Sequence, residues 1–442
     1  MSEQQPPHGG KRKRITRRDL VRTAGLTGLI GIAAGGAGGY FAAPRGGASA
    51  TAGGGGTIKF GLVAPVTGPY SGDGQEMERG AKLAIEDINA AGGVLGREVE
   101  LVVGDVGDQA PENFIQVAER LVSREKVAAA SGGYTTTTSV EFPTYAEGGV
   151  PLFHTNTLQA NSDYVAEHGI TNIFQCCPTE PWYASGFLQL MTDWIDSGAW
   201  TPSSQTAAVI ASNDSYSISI ATVMMDGLKE LGWDITMYEE VSVPYADWGP
   251  QLSKIRNDPP GLIFVTDYLA GDLASFAKQF ATAPTPSLLY QQYGPSVPEY
   301  LELAGDAADG VIWSTTIGTL PDDIGTRFRE RYLDAFGTEA GLSQSGAQYD
   351  ILRMWAQAAS RAGDPYDSDK VSAAMKGLTF RGVVGTYRFA EEDLTAIPYP
   401  DAVNDPSLGM PHLTYQIQQQ EQVLISPEPY INGAFELPGW LR

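Results

Sequence analysis

The stretch from Gly132 to Ser139 combines two glycines, a tyrosine, four consecutive threonines and a serine. The apolar run 127–130 before it predicts a buried strand, and residues 140–147 after it predict a short helix. Glycines allow a sharp turn, and the first N–H groups of a helix lack internal partners. Hydroxyl and N–H donors at such a turn suit a carboxylate or an amide oxygen. The alternative is a threonine-rich helix cap that binds nothing.

Residues that carry out catalysis or bind metals are sparse. The four histidines have no metal-ligand spacing, and neither a G-x-S-x-G elbow nor a P-loop occurs. Cys176 and Cys177 are adjacent, which is awkward for a disulfide, so we expect two buried thiols. His154 follows a predicted strand, where a ligand contact and a core position are both open. We therefore expect no enzyme activity, no cofactor and no metal.

The charge balance excludes some classes of partner. The chain has 442 residues, with 29 Lys and Arg against 52 Asp and Glu, and a formal net charge of −23. The first 50 residues hold eight Lys and Arg and two Asp and Glu, so the remainder is more acidic still. We expect no binding to nucleic acid or anionic lipid by charge. A hydrophobic content of 42% fits a globular protein, and a length of 442 residues is enough for two or three domains.

The first 50 residues are predicted to be a targeting segment outside the fold. A basic run contains the pair Arg17 and Arg18, an uncharged glycine-rich stretch follows, and Ala48-Ser49-Ala50 provides a cleavage site. Together these features resemble a twin-arginine export signal. We expect a periplasmic or extracytoplasmic protein, with the signal either cleaved or kept as a membrane tether. Residues 51–56 are interpreted as a glycine-rich tether.

Strands and helices alternate along the rest of the chain. Buried-strand patterns at 58–65 and 99–104 precede amphipathic helices, and the alternation starts afresh at residue 173. This pattern predicts an α/β fold with two lobes, each built on a largely parallel sheet. Near the C-terminus, 383–389, 413–419 and 422–425 are predicted to be short antiparallel strands. Ligand sites in parallel sheets lie at the carboxyl ends of the strands.

The strand ends carry a familiar pattern. The segment Gly61 to Pro69, Gly80-Ala81 and the run Asp87 to Gly93 resemble the opening of type I periplasmic binding proteins. The similarity is greatest to the branched-chain amino acid (leucine/isoleucine/valine-binding-protein-like) and amide/urea receptors of ABC importers. The sequence Gly346 to Asp350 agrees with it. The resemblance covers nearly all of residues 57–440.

The resemblance implies two Rossmann-like lobes joined by a three-crossover hinge, with ligand in the cleft. Expected crossovers lie near 177–178, 315–318 and 384–389. Residues 57–177 and 317–385 would form lobe 1, and 178–316 and 386–442 would form lobe 2. Closure around a ligand is the established hinge motion of such proteins.

The resemblance also implies which residues contact the ligand. Hydroxyl and N–H groups of the first lobe would fix a polar head, and tyrosines of the second lobe would supply flat walls. The predicted ligand-binding residues are Asp73, Tyr134, Thr135, Thr136, Thr137, Asn156, Thr157, Tyr216, Tyr268 and Tyr293. Trp182 and Tyr183, just past the first crossover, are weaker candidates.

One departure bears on the ligand. Amino-acid receptors of this family usually carry a glutamate where Tyr293 stands, and that glutamate pairs with the α-ammonium group. Because an unpaired buried ammonium is unfavourable, a neutral amide or urea-like solute gains weight, while a branched-chain amino acid stays open. Asp73 and Asp267 are possible substitutes for the missing carboxylate.

The function implied by the resemblance is capture of a small polar organic solute for an ABC importer. The expected partners are that small molecule and a membrane permease, and the protein is expected to be a monomer. A ligand sensor that signals to a membrane partner is one alternative. An exported α/β enzyme is the other.

Overall fold

The computed structural model describes residues 56–135 and 139–442. The predicted export signal, all of the tether except Gly56, and the candidates Thr136 and Thr137 lie outside the described residues.

The strands of the described residues follow in chain order. They are β1 (Ile58–Ala64), β2 (Val99–Asp105), β3 (Ala129–Gly132), β4 (Leu152–His154), β5 (Ile173–Gln175), β6 (Thr206–Ser212), β7 (Asp234–Val241), β8 (Leu262–Thr266), β9 (Leu288–Gln291), β10 (Ile312–Thr315), β11 (Phe380–Arg381), β12 (Thr386–Tyr387), β13 (Pro398–Tyr399), β14 (Met410–Pro411), β15 (Leu413–Gln418) and β16 (Glu421–Ser426).

The α-helices connect most of these strands. They are α1 (Ser71–Ala90), α2 (Pro111–Glu119), α3 (Phe142–Glu147), α4 (Gln159–His168), α5 (Pro181–Ser197), α6 (Ser215–Glu230), α7 (Gly249–Asn257), α8 (Ala270–Ala281), α9 (Pro298–Ala304), α10 (Asp323–Phe336), α11 (Gln344–Ala362) and α12 (Ser368–Lys376).

The first lobe is built on a parallel five-stranded sheet. Its strand order is β2-β1-β3-β4-β5, and Phe60 of β1 lies between Leu101 of β2 and Ala129 of β3. The chain therefore turns in opposite directions from β1 and β3, which creates a crevice at their carboxyl ends. The predicted parallel lobe is confirmed. Its inner strands are apolar on both sides because helices cover both faces.

The second lobe repeats this order with an extension. Its seven-stranded sheet runs β16-β15-β10-β9-β8-β6-β7, and β6 to β10 are parallel. Strands β15 and β16 join antiparallel at the β10 edge, as the sequence predicted for the tail. The second crevice lies at the carboxyl ends of β6 and β8.

Helices from distant parts of the chain complete the first lobe. Helix α11 packs against α1, where a Cβ atom on Gly80 would lie 2.0 Å from the carbonyl oxygen of Ser345. Only glycine permits that approach. The carboxylate of Asp350, on α11, accepts hydrogen bonds from Val383 N (2.7 Å) and Val384 N (3.0 Å). The motif that contains Asp350 thus fastens the segment that follows α12.

Three segments pass between the sheets. The first follows β5 and the second follows β10, close to the predicted positions. The third lies later than the predicted 384–389, because Thr395 still bridges to Gln175 of the first sheet and Ala396 N donates to Gln175 O. Part of the segment predicted for lobe 2 therefore contacts lobe 1. The other proposed domain limits stay predictions.

Two further features bear on the sequence analysis. Cys176 and Cys177 are free and fully buried, so the expectation of two buried thiols is confirmed. Among the described helices, none combines the length and apolar character needed to cross a membrane.

Candidate functional site

A cavity lies where the carboxyl ends of the two sheets face each other. The space open to the centre of a water-sized sphere is about 40 Å³, and one water needs roughly 10–15 Å³ on that measure. The cavity therefore suits a compact solute. Its described lining comprises Gln109, Tyr134, Thr135, Thr155, Asn156, Thr157, Tyr183, Tyr216, Tyr268, Tyr293, Ile317 and Gln344.

The first-lobe wall begins where β3 ends. Gly133 has φ +152°, and a Cβ atom there would lie 2.0 Å from the Thr155 hydroxyl. The next residue, Tyr134, has φ +52°, and its carbonyl oxygen accepts a 2.8 Å hydrogen bond from Gln109 Nε2. The glycine lets the strand turn, and Gln109 fixes the turned peptide. Tyr134 is thereby held against the cavity.

The structure changes the interpretation of the threonine row. Helix α3 begins at Phe142, three residues after Ser139, and is only six residues long. Pro143 lies in its first turn, where the missing N–H is harmless. The expectation that the threonines lie at a helix N-terminus is therefore wrong for Thr135. Thr135 would therefore offer a ligand its own groups and not the N–H groups of a helix N-terminus.

Helix α11 supports the same wall. Gln344 Oε1 accepts a 2.9 Å hydrogen bond from the Thr155 hydroxyl, and Gln348 Nε2 donates to Gly132 O at 3.2 Å. Each bond links a glutamine of α11 to a residue at the end of β3 or β4, about 190 to 220 positions away in the sequence. The helix thus fixes the strand ends that carry the site.

Tyr293 lies on a strained turn after β9. Its φ and ψ are 64° and −46°, and Gly294 N donates to Gln292 O at 2.7 Å. A hydrogen bond across a single residue with these angles is a γ-turn of the rare, strained form. Tyr134, opposite, also has a positive φ. Such backbone strain concentrates at ligand sites because the surrounding structure must maintain it.

A hydrogen bond connects the two lobes beside the cavity. The Tyr293 hydroxyl donates to Asp73 Oδ1 at 2.8 Å, and Asp73 is only 6% exposed. Burial raises the pKa of Asp73 to about 7, although the hydroxyls of Tyr293 and Tyr134 oppose that rise. Burial therefore favours the neutral, protonated form of the Asp73 carboxyl.

Tyr216 is positioned by a chain of buried polar groups. Its hydroxyl accepts a 2.9 Å hydrogen bond from Gln292 Nε2, and Gln292 Oε1 accepts from the Tyr290 hydroxyl. That hydroxyl also bonds to Ser314 Oγ. Ser314 is on β10, so the chain of contacts spans β10, β9 and the start of α6. These bonds hold the Tyr216 ring in place.

The structure brings together seven of the ten predicted site residues in the cavity lining. They are Tyr134, Thr135, Asn156, Thr157, Tyr216, Tyr268 and Tyr293. Asp73 does not line this cavity but lies behind Tyr293, while Thr136 and Thr137 lie outside the described residues. A ligand-binding role for these residues stays a prediction.

Other lining residues were missed or ranked low. Gln109, Thr155, Ile317 and Gln344 were missed, and Tyr183 was a weaker candidate. Gln344 is two residues before the Gly346 motif, and Ile317 lies within the predicted second crossover, so both had a nearby signal. Asp267, which the sequence offered as a substitute for the missing glutamate, is fully buried and does not line the cavity.

The structure places His154 in a buried position outside the cavity. His154 is 4% exposed, lies against the Phe142 ring at 5.2 Å, and does not line the cavity. Burial lowers the pKa of His154 to about 3, so its imidazole is neutral. Within the described residues, no group of three or more His, Cys, Asp or Glu is placed to hold a metal ion.

Comparisons with known proteins agree with this architecture. The chain is 37% identical to a Silicibacter pomeroyi protein assigned to branched-chain amino acid ABC transport, with a TM-score of 0.80, over 87% of this chain and 100% of that one. It is 26% identical to the Leu/Ile/Val-binding protein homolog 8 of Brucella abortus (strain 2308), over 73% of this chain and 80% of the relative.

A more distant structure shares the fold. It is the branched-chain amino acid transporter substrate-binding protein LivJ from Streptococcus pneumoniae, at 18% identity and a TM-score of 0.68, over 84% of this chain and 100% of that one. A family profile described as periplasmic binding protein matches residues 57–398. On this evidence the chain belongs to the periplasmic binding protein family.

Proposed function

We propose that this protein captures a small polar organic solute outside the cytoplasmic membrane and delivers it to an ABC importer. The observation that carries the proposal is the cavity between the carboxyl ends of two parallel sheets, lined by both lobes. Such crevices are where open α/β sheets bind ligands. Closing two lobes over a solute removes it from water, and hydrogen bonds to the solute are stronger in such a low-dielectric environment.

Relatives support an amino acid as one candidate ligand. LivJ from Streptococcus pneumoniae was crystallised with isoleucine, and a Desulfitobacterium hafniense transporter binding protein was crystallised with leucine. Both are only 18% identical to this chain. In our proposal Tyr134 to Thr137, Asn156 and Thr157 hold the polar head, while the second-lobe tyrosines close over the rest.

The described lining also supports a neutral amide or urea-like solute. It contains no Asp, Glu, Lys or Arg among the residues placed by the structure. An α-ammonium group would meet no carboxylate directly, because Asp73 lies behind the Tyr293 hydroxyl. A neutral solute needs no such partner.

The delivery part of the proposal names a membrane permease as partner and a monomer as the binding form. Export through the twin-arginine route is its first step, based on Arg17 and Arg18. Changing both arginines to lysine should leave full-length precursor in the cytoplasm. Fractionation that finds the variant exported normally would exclude this route.

A thermal-shift screen tests the binding function. The exported form is heated with branched-chain amino acids, small amides, ureas and small carboxylates. A ligand present at 100 times its Kd should add about 2.7 kcal/mol of stability. The hit should be recovered chemically unchanged after long incubation. Conversion at a rate that scales with protein would favour an enzyme instead.

The proposed head-group contact has its own test. Thr136→Val keeps the side-chain shape and removes the hydroxyl, so in this proposal the polar head of the ligand would lose one hydrogen bond. We expect affinity for the screened ligand to fall roughly five- to 150-fold. Unchanged affinity would remove Thr136 from the site.

A further inference from the structure

Five tyrosines are among the described residues that line the cavity. The hydroxyl of each one interacts with a residue that is not part of the lining. Those of Tyr183 and Tyr216 bond to Thr316 (3.3 Å) and Gln292 (2.9 Å). The Tyr293 hydroxyl bonds to Asp73. None of these three partners lines the cavity.

The two remaining hydroxyls follow the same rule. Tyr134 has its hydroxyl next to Asp73, and Tyr268 has its hydroxyl next to that of Tyr70. Neither Asp73 nor Tyr70 is part of the lining. What the five tyrosines offer a solute is therefore their rings.

Three pairs of these rings stand at steep angles to one another. Tyr134 and Tyr268 lie 6.0 Å apart at 85°, Tyr216 and Tyr268 6.1 Å apart at 84°, and Tyr183 and Tyr216 6.1 Å apart at 78°. The Tyr293 ring lies 5.8 Å from that of Tyr134 and is tilted by 35° to it, so this fourth contact is oblique. Rings that meet at right angles form a box, whereas parallel rings would form a stack. A box of tyrosines is an arrangement that holds cations through the electron-rich ring faces.

A buried acid lies directly behind this box. Asp73 bonds to Tyr293 and lies next to the hydroxyl of Tyr134, so one carboxyl group touches two of the five tyrosines. A carboxylate that accepts a phenol hydrogen bond pushes electron density into the ring, which strengthens its attraction for a cation. A cation in the box would in turn favour the charged form of Asp73.

We infer that the solute carries an alkylated ammonium group, which sits among the rings of Tyr134, Tyr183, Tyr216, Tyr268 and Tyr293. This rests on the proposed function, in which the cavity takes a small organic solute. It explains how a cavity whose described lining contains no carboxylate could hold a cation. A primary ammonium has three N–H donors that need acceptors, whereas a quaternary ammonium has none and asks only for aromatic faces.

The polar end of such a solute has a place as well. In the proposed function the first-lobe residues Thr135 and Asn156 hold a polar head, and a carboxylate would suit their donors. The expected class is thus a compact zwitterion with a methylated nitrogen. The small cavity agrees with a molecule of this size.

Paired ligands that differ only in charge test the inference. Glycine betaine and 3,3-dimethylbutyrate have the same shape, but the second replaces the charged nitrogen by carbon. Calorimetric titration of the exported form should give betaine an affinity at least roughly 30-fold higher. Leucine is titrated beside them. Equal affinities, or tighter binding of the carbon analogue, would overturn the inference.

The outcomes separate this inference from the proposed function. Binding of leucine without betaine overturns the inference and leaves the binding function standing. If none of the three molecules binds, and the thermal-shift screen also finds no ligand, both ideas fail. Betaine selectivity supports both.

A variant assigns the selectivity to the rings. Tyr268→Leu keeps a large apolar side chain but removes one ring, so the ratio of betaine to dimethylbutyrate affinity should fall about tenfold. Tyr268→Phe keeps the ring and should keep most of that ratio. Tyr366→Leu, at a 43% exposed tyrosine outside the cavity, is the matched control. A ratio that stays the same in Tyr268→Leu would contradict the box.

Discussion

The Tyr293 hydroxyl donates a 2.8 Å hydrogen bond to Oδ1 of Asp73, across the two lobes of the protein. Asp73 is in the first turn of α1, after β1, and Tyr293 is in the turn after β9. Because its two partners belong to different lobes, this bond would break if the lobes moved apart. It therefore couples the position of the lobes to the state of one carboxyl group.

Removing the Tyr293 hydroxyl should weaken ligand binding. Tyr293→Phe keeps the ring but removes one of the two tyrosine hydroxyls that donate to the buried Asp73 carboxyl, and Tyr134 supplies the other. Hydrogen bonds to charged groups are worth about 1.5–3 kcal/mol, so we expect the Kd of the screened ligand to rise roughly 10- to 100-fold. Calorimetry on wild type and variant measures this, with Tyr366→Phe as control. A Kd within twofold of wild type would mean that the bond does not stabilise closure.

The Asp73 carboxyl should make stability depend on pH. Its pKa is about 7 in the folded protein and about 3.9 in an unfolded chain, so the folded state holds the proton more tightly. The associated stability is fully present below about pH 4 and is lost as pH rises through about 7. The Asp73→Asn variant cannot ionise at this position. The free energy of unfolding of the variant minus that of wild type should therefore be higher at pH 8 than at pH 4, by at most about 4 kcal/mol.

Urea unfolding of both proteins at several pH values measures this difference. Glu141 and Asp350 also have raised pKa values, about 7 and about 6, so wild type alone would not isolate Asp73. The difference between wild type and Asp73→Asn cancels those groups. A difference that is the same at pH 4 and pH 8 would contradict the prediction.

Gln292 should be necessary for the second-lobe wall. Gln292→Leu removes the partner of the Tyr216 and Tyr290 hydroxyls, both of which are buried. The Tyr290 hydroxyl keeps its bond to Ser314, but the Tyr216 hydroxyl loses its donor. Leaving one buried hydroxyl unpaired costs about 1–3 kcal/mol, so the free energy of unfolding should fall by that amount. Affinity should fall as well, because Tyr216 loses its anchor. Gln116→Leu, at an exposed position of α2, is the control and should change little.

Gly133 should tolerate no side chain. Gly133→Ala places a Cβ atom 2.0 Å from the Thr155 hydroxyl at φ +152°, so either Thr155 or the Tyr134 turn must move. We expect a loss of at least about 1 kcal/mol in unfolding free energy and a clear loss of affinity. Gly271→Ala is the matched control, since it lies on a helix with nothing within 4 Å of the new atom. Equal stability of the two variants would contradict the close approach.

Local pattern in the sequence determined the α/β class and the parallel sheets of this protein. Apolar runs that alternate with amphipathic helices dictate parallel sheets, because each period fits one kind of element. The strands predicted at 58–65 and 99–104 begin at the observed first residues of β1 and β2 and end within one residue of their observed ends. Tyr216, Tyr268 and Tyr293 were predicted from the family resemblance, and their positions after strands agree with it because the ends of parallel strands meet at one edge.

Tertiary structure alone decided what those residues present to a solute. Asp73 and Tyr293 are 220 residues apart, and nothing near either one indicates the other. The direction of each tyrosine hydroxyl depends on partners such as Gln292 and Thr316, which the packing of β9 and β10 brings within reach. Periodicity encodes which face of an element is buried, but contacts across the cleft depend on how two separately folded sheets face each other.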